Sequence, residues 1–240
     1  MEFGHVGRVV IADDEPMVRR GLRMSVESTG EFHVVAEAAD GQEAVEAVRT
    51  HLPDILLLDI RMPRMNGLET TAALRAPASE AEAGADDGAG AGAAAHIVVT
   101  TSFGLDADVE QALALGADAF LPKDTPREEL LDALRAVQEG DAVMPPQALR
   151  TLLDALRTPA PAQRRQARER VGVLSPREAE VLGLVAEGLS NREIGERMRL
   201  AESAVKDRVG RMLAELGAAN RVQLALLARV AGPEAEGPPR

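Results

Sequence analysis

The sequence predicts an α/β domain of the (βα)5 type with a five-stranded parallel sheet, followed by an all-α domain, and three observations carry that expectation. The front half alternates short apolar runs with helical periodicity, which is the pattern of a parallel sheet covered by helices on both faces. The back half holds only helical patterns punctuated by capping residues. Charge divides the chain at the same place: residues 1–158 carry a net charge of −15, residues 159–230 a net +4 and the last ten −1, within a total of −12.

In chain order, RVVIA (Arg8–Ala12), HVVAEA (His33–Ala38), DILLLD (Asp54–Asp59), HIVVT (His96–Thr100) and AFLP (Ala119–Pro122) read as the five strands, since short bounded runs of β-branched and aliphatic residues suit strands buried on both faces. Helical segments follow them near Met17–Ser28, Gln42–Thr50, Gly67–Leu74, Asp106–Leu115 and Arg127–Glu139. Residues 76–95, APASEAEAGADDGAGAGAAA, have neither period and read as a surface insertion. A further helical stretch, Pro146–Leu156, precedes RTPAPAQRRQARER, whose Pro and Arg content marks a linker. The expected divisions are a first domain over 1–140, a linker with one helix over 141–170, a second domain over 171–230 and a disordered tail over 231–240.

The 240 residues, 45% of them apolar, suffice for two separate cores. The absence of cysteine excludes a disulfide framework, a thiolate zinc site and a cysteine nucleophile. No run approaches the ~18 apolar residues of a membrane span, and MEFGHVG lacks the basic start and apolar middle of a signal peptide. A soluble, cytoplasmic protein with no membrane partner is expected. An acidic front joined to a mildly basic back points to a regulatory module that repels nucleic acid and a second module that attracts it.

Ligands of open α/β sheets bind beyond the carboxyl ends of the strands, and Asp13, Asp14, Asp59, Thr100 and Lys123 all fall there. Three carboxylates in one cleft repel: at ~5 Å and an effective dielectric near 20, each pair costs about 3 kcal/mol. A cation among them offsets that cost, and all-oxygen ligation favours Mg²⁺. The metal and Lys123 would neutralise the charge that develops as a phosphoryl group passes to the Asp59 carboxylate, and the Thr100 hydroxyl could bond the phosphoryl oxygen.

In the back half, Ser175-Pro176 with Glu178, and Ser190 with Glu193, are capping boxes, and Asn220 with Gln223 starts a further helix in the same way. Gly188 is placed to take a positive φ after the first of these helices. The helix expected over Glu202–Leu216 puts Val205, Val209, Met212, Leu213 and Leu216 on one face. Its other side carries Ser203, Lys206, Asp207, Gly210 and Arg211, a polar face of the kind laid into a major groove, although an ordinary amphipathic helix would show the same pattern. A last helix, Arg221–Arg229, places Val222, Leu226 and Arg229 on one side as a candidate pairing surface.

The strings DDEPMVRRGL, LLLDIRMPRMNGLE, IVVTT and GADAFLPKD occur in order at these strand ends, and together they closely resemble the flavodoxin-like receiver domain of two-component response regulators, in particular the NarL/FixJ subfamily. The segment from Leu174 to Ala228 resembles the LuxR-type helix-turn-helix. The resemblance implies that Asp59 is the phosphoacceptor of a sensor histidine kinase, that Asp13 and Asp14 bind Mg²⁺ together with the backbone carbonyl of Arg61, and that Lys123 pairs with the phosphoryl group. It implies that Thr100 and Phe120 form a switch pair, and that Lys206, Asp207 and Gly210 approach bases or phosphates of double-stranded promoter DNA while Arg192 and Arg208 contact its backbone. An active homodimer, RNA polymerase as a further partner, and a phosphate acceptor rather than a turnover enzyme also follow from it. The receiver-like part departs from the usual pattern in Pro122 before Lys123, in a loop Thr101–Leu105 one residue longer and in the insertion Ala76–Ala95, and the helix-turn-helix part in Ala201 at the cap of the recognition helix, Ala204 in place of a hydroxyl residue and the negative charge of Asp207.

Two other readings fit part of the sequence. The front domain could be a dimerisation module that is never phosphorylated, or Asp59 could be the nucleophile of a metal-dependent phosphohydrolase. The second lacks an acid/base Asp two residues on, where Arg61 stands, and leaves the helix-turn-helix without a purpose.

Overall fold

The computed structural model describes residues 6–76, 95–101, 111–144 and 160–232. The chain separates into two compact units, one formed by Met1–Gln138 with Val143–Pro145 and the other by Glu139–Ala142 with Pro146–Arg240.

The first unit is built on strands β1 (Gly7–Ala12), β2 (Phe32–Ala38), β3 (Ile55–Asp59), β4 (His96–Thr101) and β5 (Ala119–Pro122), all parallel and in the order β2-β1-β3-β4-β5. They are joined with helices α1 (Pro16–Val26), α2 (Gly41–His51), α3 (Gly67–Arg75) and α4 (Arg127–Gln138). Residues 111–115 are helical, and the earlier part of the helix expected from Asp106 lies outside the described residues. β3 is buried at all five positions, as its unbroken ILLLD run requires of a central strand. On one face Val9, Ile11, Ile55, Leu57, Val98 and Leu121 pack with Leu134 and Val137 of α4. Val10, Leu56, Leu58, Val99 and Phe120 are buried on the other. Because β1 lies between β2 and β3, the direction of strand addition reverses between β1 and β3, and the two strands that end in acidic residues flank that reversal.

Helix starts follow local chemistry. The Asp40 side chain accepts from Glu43 N at the head of α2, and Asn66 and Glu69 form a reciprocal capping box at the head of α3. Such caps contribute about 1 kcal/mol each.

The second unit contains α5 (Pro161–Val171), α6 (Pro176–Ala186), α7 (Asn191–Met198), α8 (Glu202–Leu216) and α9 (Arg221–Ala231). The capping boxes at Ser175 and Ser190 form, Asn220 caps α9, and Gly188 has φ 87°. The core comprises Val181, Leu182, Val185, Ile194, Val205, Val209, Met212 and Leu224, with Leu213 partly buried against it. α5 occupies the stretch that reads as linker. Nine of its eleven residues are exposed and only Ala167 is buried, so no apolar stripe announces it; Pro161 starts it, and Arg168 and Arg170 donate to the carbonyls of Ala231 and Leu216. The helix expected over Pro146–Leu156 lies outside the described residues, as do most of the insertion and the tail. Among the described residues no helix is long and apolar enough to cross a membrane.

Candidate functional site

Three carboxylates meet where the sheet reverses. Asp13 follows β1 directly, Asp14 follows Asp13, and Asp59 closes β3, so that one oxygen from each lies within 4.8 Å of the others. Asp13 is wholly buried, Asp59 nearly so, and Asp14 is exposed. Asp13 is oriented by its own turn: its Oδ1 accepts from Glu15 N at 2.9 Å and its carbonyl accepts from the Arg19 guanidinium at 2.6 Å. The backbone N–H of Arg61 donates to the Asp59 carboxylate. Behind Asp59, α3 starts so close that a Cβ on Gly67 would meet the Asp59 carbonyl at 2.3 Å, which requires glycine there.

Lys123, one residue beyond β5, reaches across to both buried acids, its Nζ 2.6 Å from Asp13 Oδ2 and 2.9 Å from Asp59 Oδ2. Burial raises the pKa of the Asp59 carboxyl above its ordinary value; the Lys123 bond and charge oppose the rise and the nearby Asp13 adds to it. Burial pulls the Lys123 ammonium down, but its bonds to Asp13 and Asp59 outweigh this and its pKa is raised. One lysine set against three carboxylates leaves excess negative charge, and all the donors are oxygen atoms with one carboxylate facing solvent. That donor set fits a hard divalent cation such as Mg²⁺ and is ill suited to a soft metal.

The sheet register corrects one pairing expected from sequence. Partners in a parallel pair point to the same face, and neighbours along a strand point to opposite faces. Thr100 pairs with Leu121 and with Asp59, whereas Phe120 pairs with Val99, two residues from Thr101. Thr100 therefore shares the face of Asp59, Val98 and Leu121, while Phe120 shares a face with Thr101. The pair Thr100–Phe120 is divided by the pleat, and Thr101 is the threonine on the side of Phe120. Thr100 Oγ1 is buried without a hydrogen-bond partner; Thr101 is buried and its carbonyl accepts from Lys123 N at 2.8 Å. Two adjacent threonines hide this distinction in the sequence, and only the strand register separates them.

In the second unit, Ser203, Lys206, Asp207, Gly210 and Arg211 lie on the exposed side of α8, and Val205, Val209, Met212 and Leu216 on its buried side. Arg208 is half-buried between the two. Ala201 starts the helix without a side-chain cap. Arg192, at the head of α7, is exposed and pairs with Glu196 at 3.5 Å. Two residues of this unit had no such role legible in the sequence. Glu178 sits near the cationic edge of α8: its bonds to Ser175, and then the charges of Arg211 and Arg208, hold its carboxyl below the ordinary value. Arg221 is buried, donates to Asn191 Oδ1 at 2.7 Å and to the Leu189 carbonyl, and so ties the head of α9 to the turn before α7.

Comparison with known proteins agrees with this geometry. The family model for the response regulator receiver domain matches residues 9–135, and the model for bacterial regulatory proteins of the luxR family matches residues 172–228. The chain is 34% identical over 218 residues to the nitrate/nitrite response regulator protein NarL of Escherichia coli (strain K12), covering 91% of this chain and 93% of that protein. It is 32% identical over 234 residues to the DNA-binding transcriptional activator DevR/DosR of Mycobacterium tuberculosis (strain ATCC 25618 / H37Rv), covering 96% and 99%. Among solved structures, the two-component response regulator of the LuxR family from Aurantimonas sp. SI85-9A1 matches with a TM-score of 0.52 and 29% identity, over 63% of this chain and 98% of that one. The acidic cleft of the first unit and the polar helix face of the second thus have their place in one architecture, and the chain belongs to the two-component response regulators, as a transcriptional regulator that joins a receiver domain to a LuxR-type DNA-binding domain.

Proposed function

We propose that Asp59 accepts a phosphoryl group from a sensor histidine kinase and that this modification controls dimerisation and promoter binding through the second unit. The observation that carries the reading is the position of Lys123 Nζ between the two buried carboxylates, 2.6 Å from Asp13 and 2.9 Å from Asp59. An oxygen of the ionised Asp59 attacks phosphorus, the P–N bond to the kinase histidine breaks, and the leaving imidazole keeps the electron pair and takes a proton from solvent. Asp13, Asp14, Asp59 and the carbonyl of Arg61 are the groups that would hold Mg²⁺. When bound, that ion supplies charge neutralisation for the phosphoryl oxygens.

Once Asp59 is esterified, Lys123 is released from that carboxylate to pair with the phosphoryl oxygens. The Thr101 hydroxyl turns toward them, and Phe120, buried on the same face, takes up the space vacated. Two DNA-binding units of a homodimer then engage half-sites about one helical turn apart, with Lys206, Asp207, Gly210 and Arg211 facing the groove, and RNA polymerase is the downstream partner. Phosphate contacts supply most of the affinity and base contacts the choice of site.

The test is to treat the full chain with Mg²⁺ and acetyl phosphate and to measure promoter-fragment affinity and sedimentation before and after. Tighter binding and dimer formation, both absent in Asp59→Asn, are expected. Unchanged affinity and mass despite complete modification of Asp59 would contradict control by phosphorylation and leave the first unit as a constitutive or ligand-controlled dimerisation module.

A further inference from the structure

We propose that Arg64 is a positioning residue for the divalent-ion site, holding the turn after β3 so that Arg61 keeps its carbonyl at the acidic cluster; the inference rests on the reading of Asp13, Asp14 and Asp59 as that site. Arg64 has φ 62°, in the left-handed region. Among the described residues, two other non-glycine residues, Leu52 and Arg199, have positive φ. Both are C-caps of helices, where a left-handed residue is the ordinary way to end a helix. Arg64 ends no helix. It lies in the middle of the turn that carries Arg61, where Met65 N donates to the Pro63 carbonyl at 2.7 Å, so its positive φ belongs to a tight three-residue turn.

What ties this turn to the neighbouring helix is an ion pair with a buried carboxylate. Asp40 is wholly buried, and its Oδ1 is used in capping α2 through Glu43 N at 2.9 Å. Its Oδ2 is paired with the Arg64 guanidinium, which also lies 3.1 Å from Glu43 Oε1. A buried carboxylate oxygen without a partner is costly, so Asp40 draws the guanidinium of the largely exposed Arg64 side chain onto the head of α2 and anchors the turn there. The backbone adds two ties. Gly41 N donates to the Met65 carbonyl at 3.0 Å, and Gly67 N donates to the Ile60 carbonyl at 2.9 Å. Residues 60–66 are thereby held at the Asp59 end by Gly67 and by Arg61 N itself, and at the far end by the head of α2. Loss of the Arg64 pair frees the far end only, leaving all three carboxylates in place.

The test is calorimetric titration of the full chain with Mg²⁺, alongside amide hydrogen exchange of the metal-free protein. Arg64→Gly keeps the left-handed φ without strain and deletes the cation; Arg64→Lys keeps the charge. Arg64→Gly is expected to weaken Mg²⁺ binding by about tenfold, the scale on which outer partners of a metal site act, and to speed exchange at Gly41 N–H and Met65 N–H. Arg64→Lys is expected to restore most of the affinity. Wild-type affinity in a folded Arg64→Gly protein, or equal losses in Arg64→Gly and Arg64→Lys, would overturn the inference. Asp13→Asn separates it from the underlying reading, since Mg²⁺ binding that survives Asp13→Asn means that the ion sits elsewhere.

Discussion

Lys123 Nζ lies 2.9 Å from Asp59 Oδ2, with both groups largely withdrawn from solvent. The lysine offsets only part of the acidic charge, and burial makes ionisation of Asp59 less favourable in the folded chain than in the unfolded one, raising its pKa. A carboxyl with a raised folded pKa lowers stability above that pKa, so replacing it with a neutral isostere should help at pH 7. Asp59→Asn is therefore expected to raise the stability of the metal-free chain by about 1 kcal/mol. Lys123→Met, which leaves two buried acids facing each other, should lower it by about 3 kcal/mol. Denaturant unfolding monitored by circular dichroism measures both, and added Mg²⁺ should recover much of the Lys123→Met loss while doing little for Asp59→Asn.

The two threonines at the end of β4 should behave in opposite ways. Thr100 Oγ1 is a buried hydroxyl without a hydrogen-bond partner, so Thr100→Val is expected to stabilise the fold by about 1 kcal/mol and to leave the response to phosphodonor intact. Thr101→Ala, on the face of Phe120, should accept phosphate and fail to tighten DNA binding. The reverse pattern, with the response lost in Thr100→Val and kept in Thr101→Ala, would return the switch role to Thr100.

On α8, Lys206 and Asp207 are adjacent, exposed and oppositely charged. Lys206→Ala should weaken binding to all sequences alike and reduce the slope of log affinity against log salt by about one. Asp207→Ala removes a negative charge next to the phosphates and should tighten binding to random DNA by roughly threefold at low salt, an effect that fades as salt is raised. Equal affinities for Asp207→Ala and wild type across the salt series would instead assign Asp207 to reading a base.

The capping boxes of α6 and α7 predict an acid limb in the stability of the second unit. Bonds from the Ser175 side chain and backbone lower the pKa of Glu178, and bonds from the Ser190 backbone and side chain lower that of Glu193. A depressed carboxyl pKa stabilises the fold above the ordinary glutamate value, and that contribution is lost as pH falls through the lowered folded value. Glu178→Gln with Glu193→Gln preserves the shape of the boxes and removes the titration. Thermal melts from pH 6 downward should then show a shallower decline than wild type, and parallel declines would show that these caps do not titrate as described.

Much of this was readable from residues, and the remainder has physical reasons. ILLLD followed by an acid, and RVVIA followed by two, place three carboxylates at strand ends before any coordinates are known, because a parallel sheet presents its carboxyl ends together. The starts of α6, α7 and α9 were equally plain, since Ser or Asn with Glu or Gln three residues on is local chemistry. The helix α5 was hidden because its residues are mostly polar and solvent-facing, and it is fixed by Arg168 and Arg170 reaching carbonyls 46 or more residues away in sequence. Thr100 and Thr101 could not be told apart without the register, and the tie between Arg64 and Asp40 has no sequence signal, because the fold alone brings the two side chains together.

Chemical mapping of the phosphoryl group tests the central assignment most directly. The full chain is incubated with Mg²⁺ and acetyl phosphate, the acyl phosphate is trapped by borohydride reduction, and the modified residue is located by peptide mass spectrometry. A single modification at Asp59, dependent on Mg²⁺ and missing from Asp59→Asn, is the predicted result. Modification at another residue, or none under conditions where Mg²⁺ demonstrably binds the cluster, would contradict it.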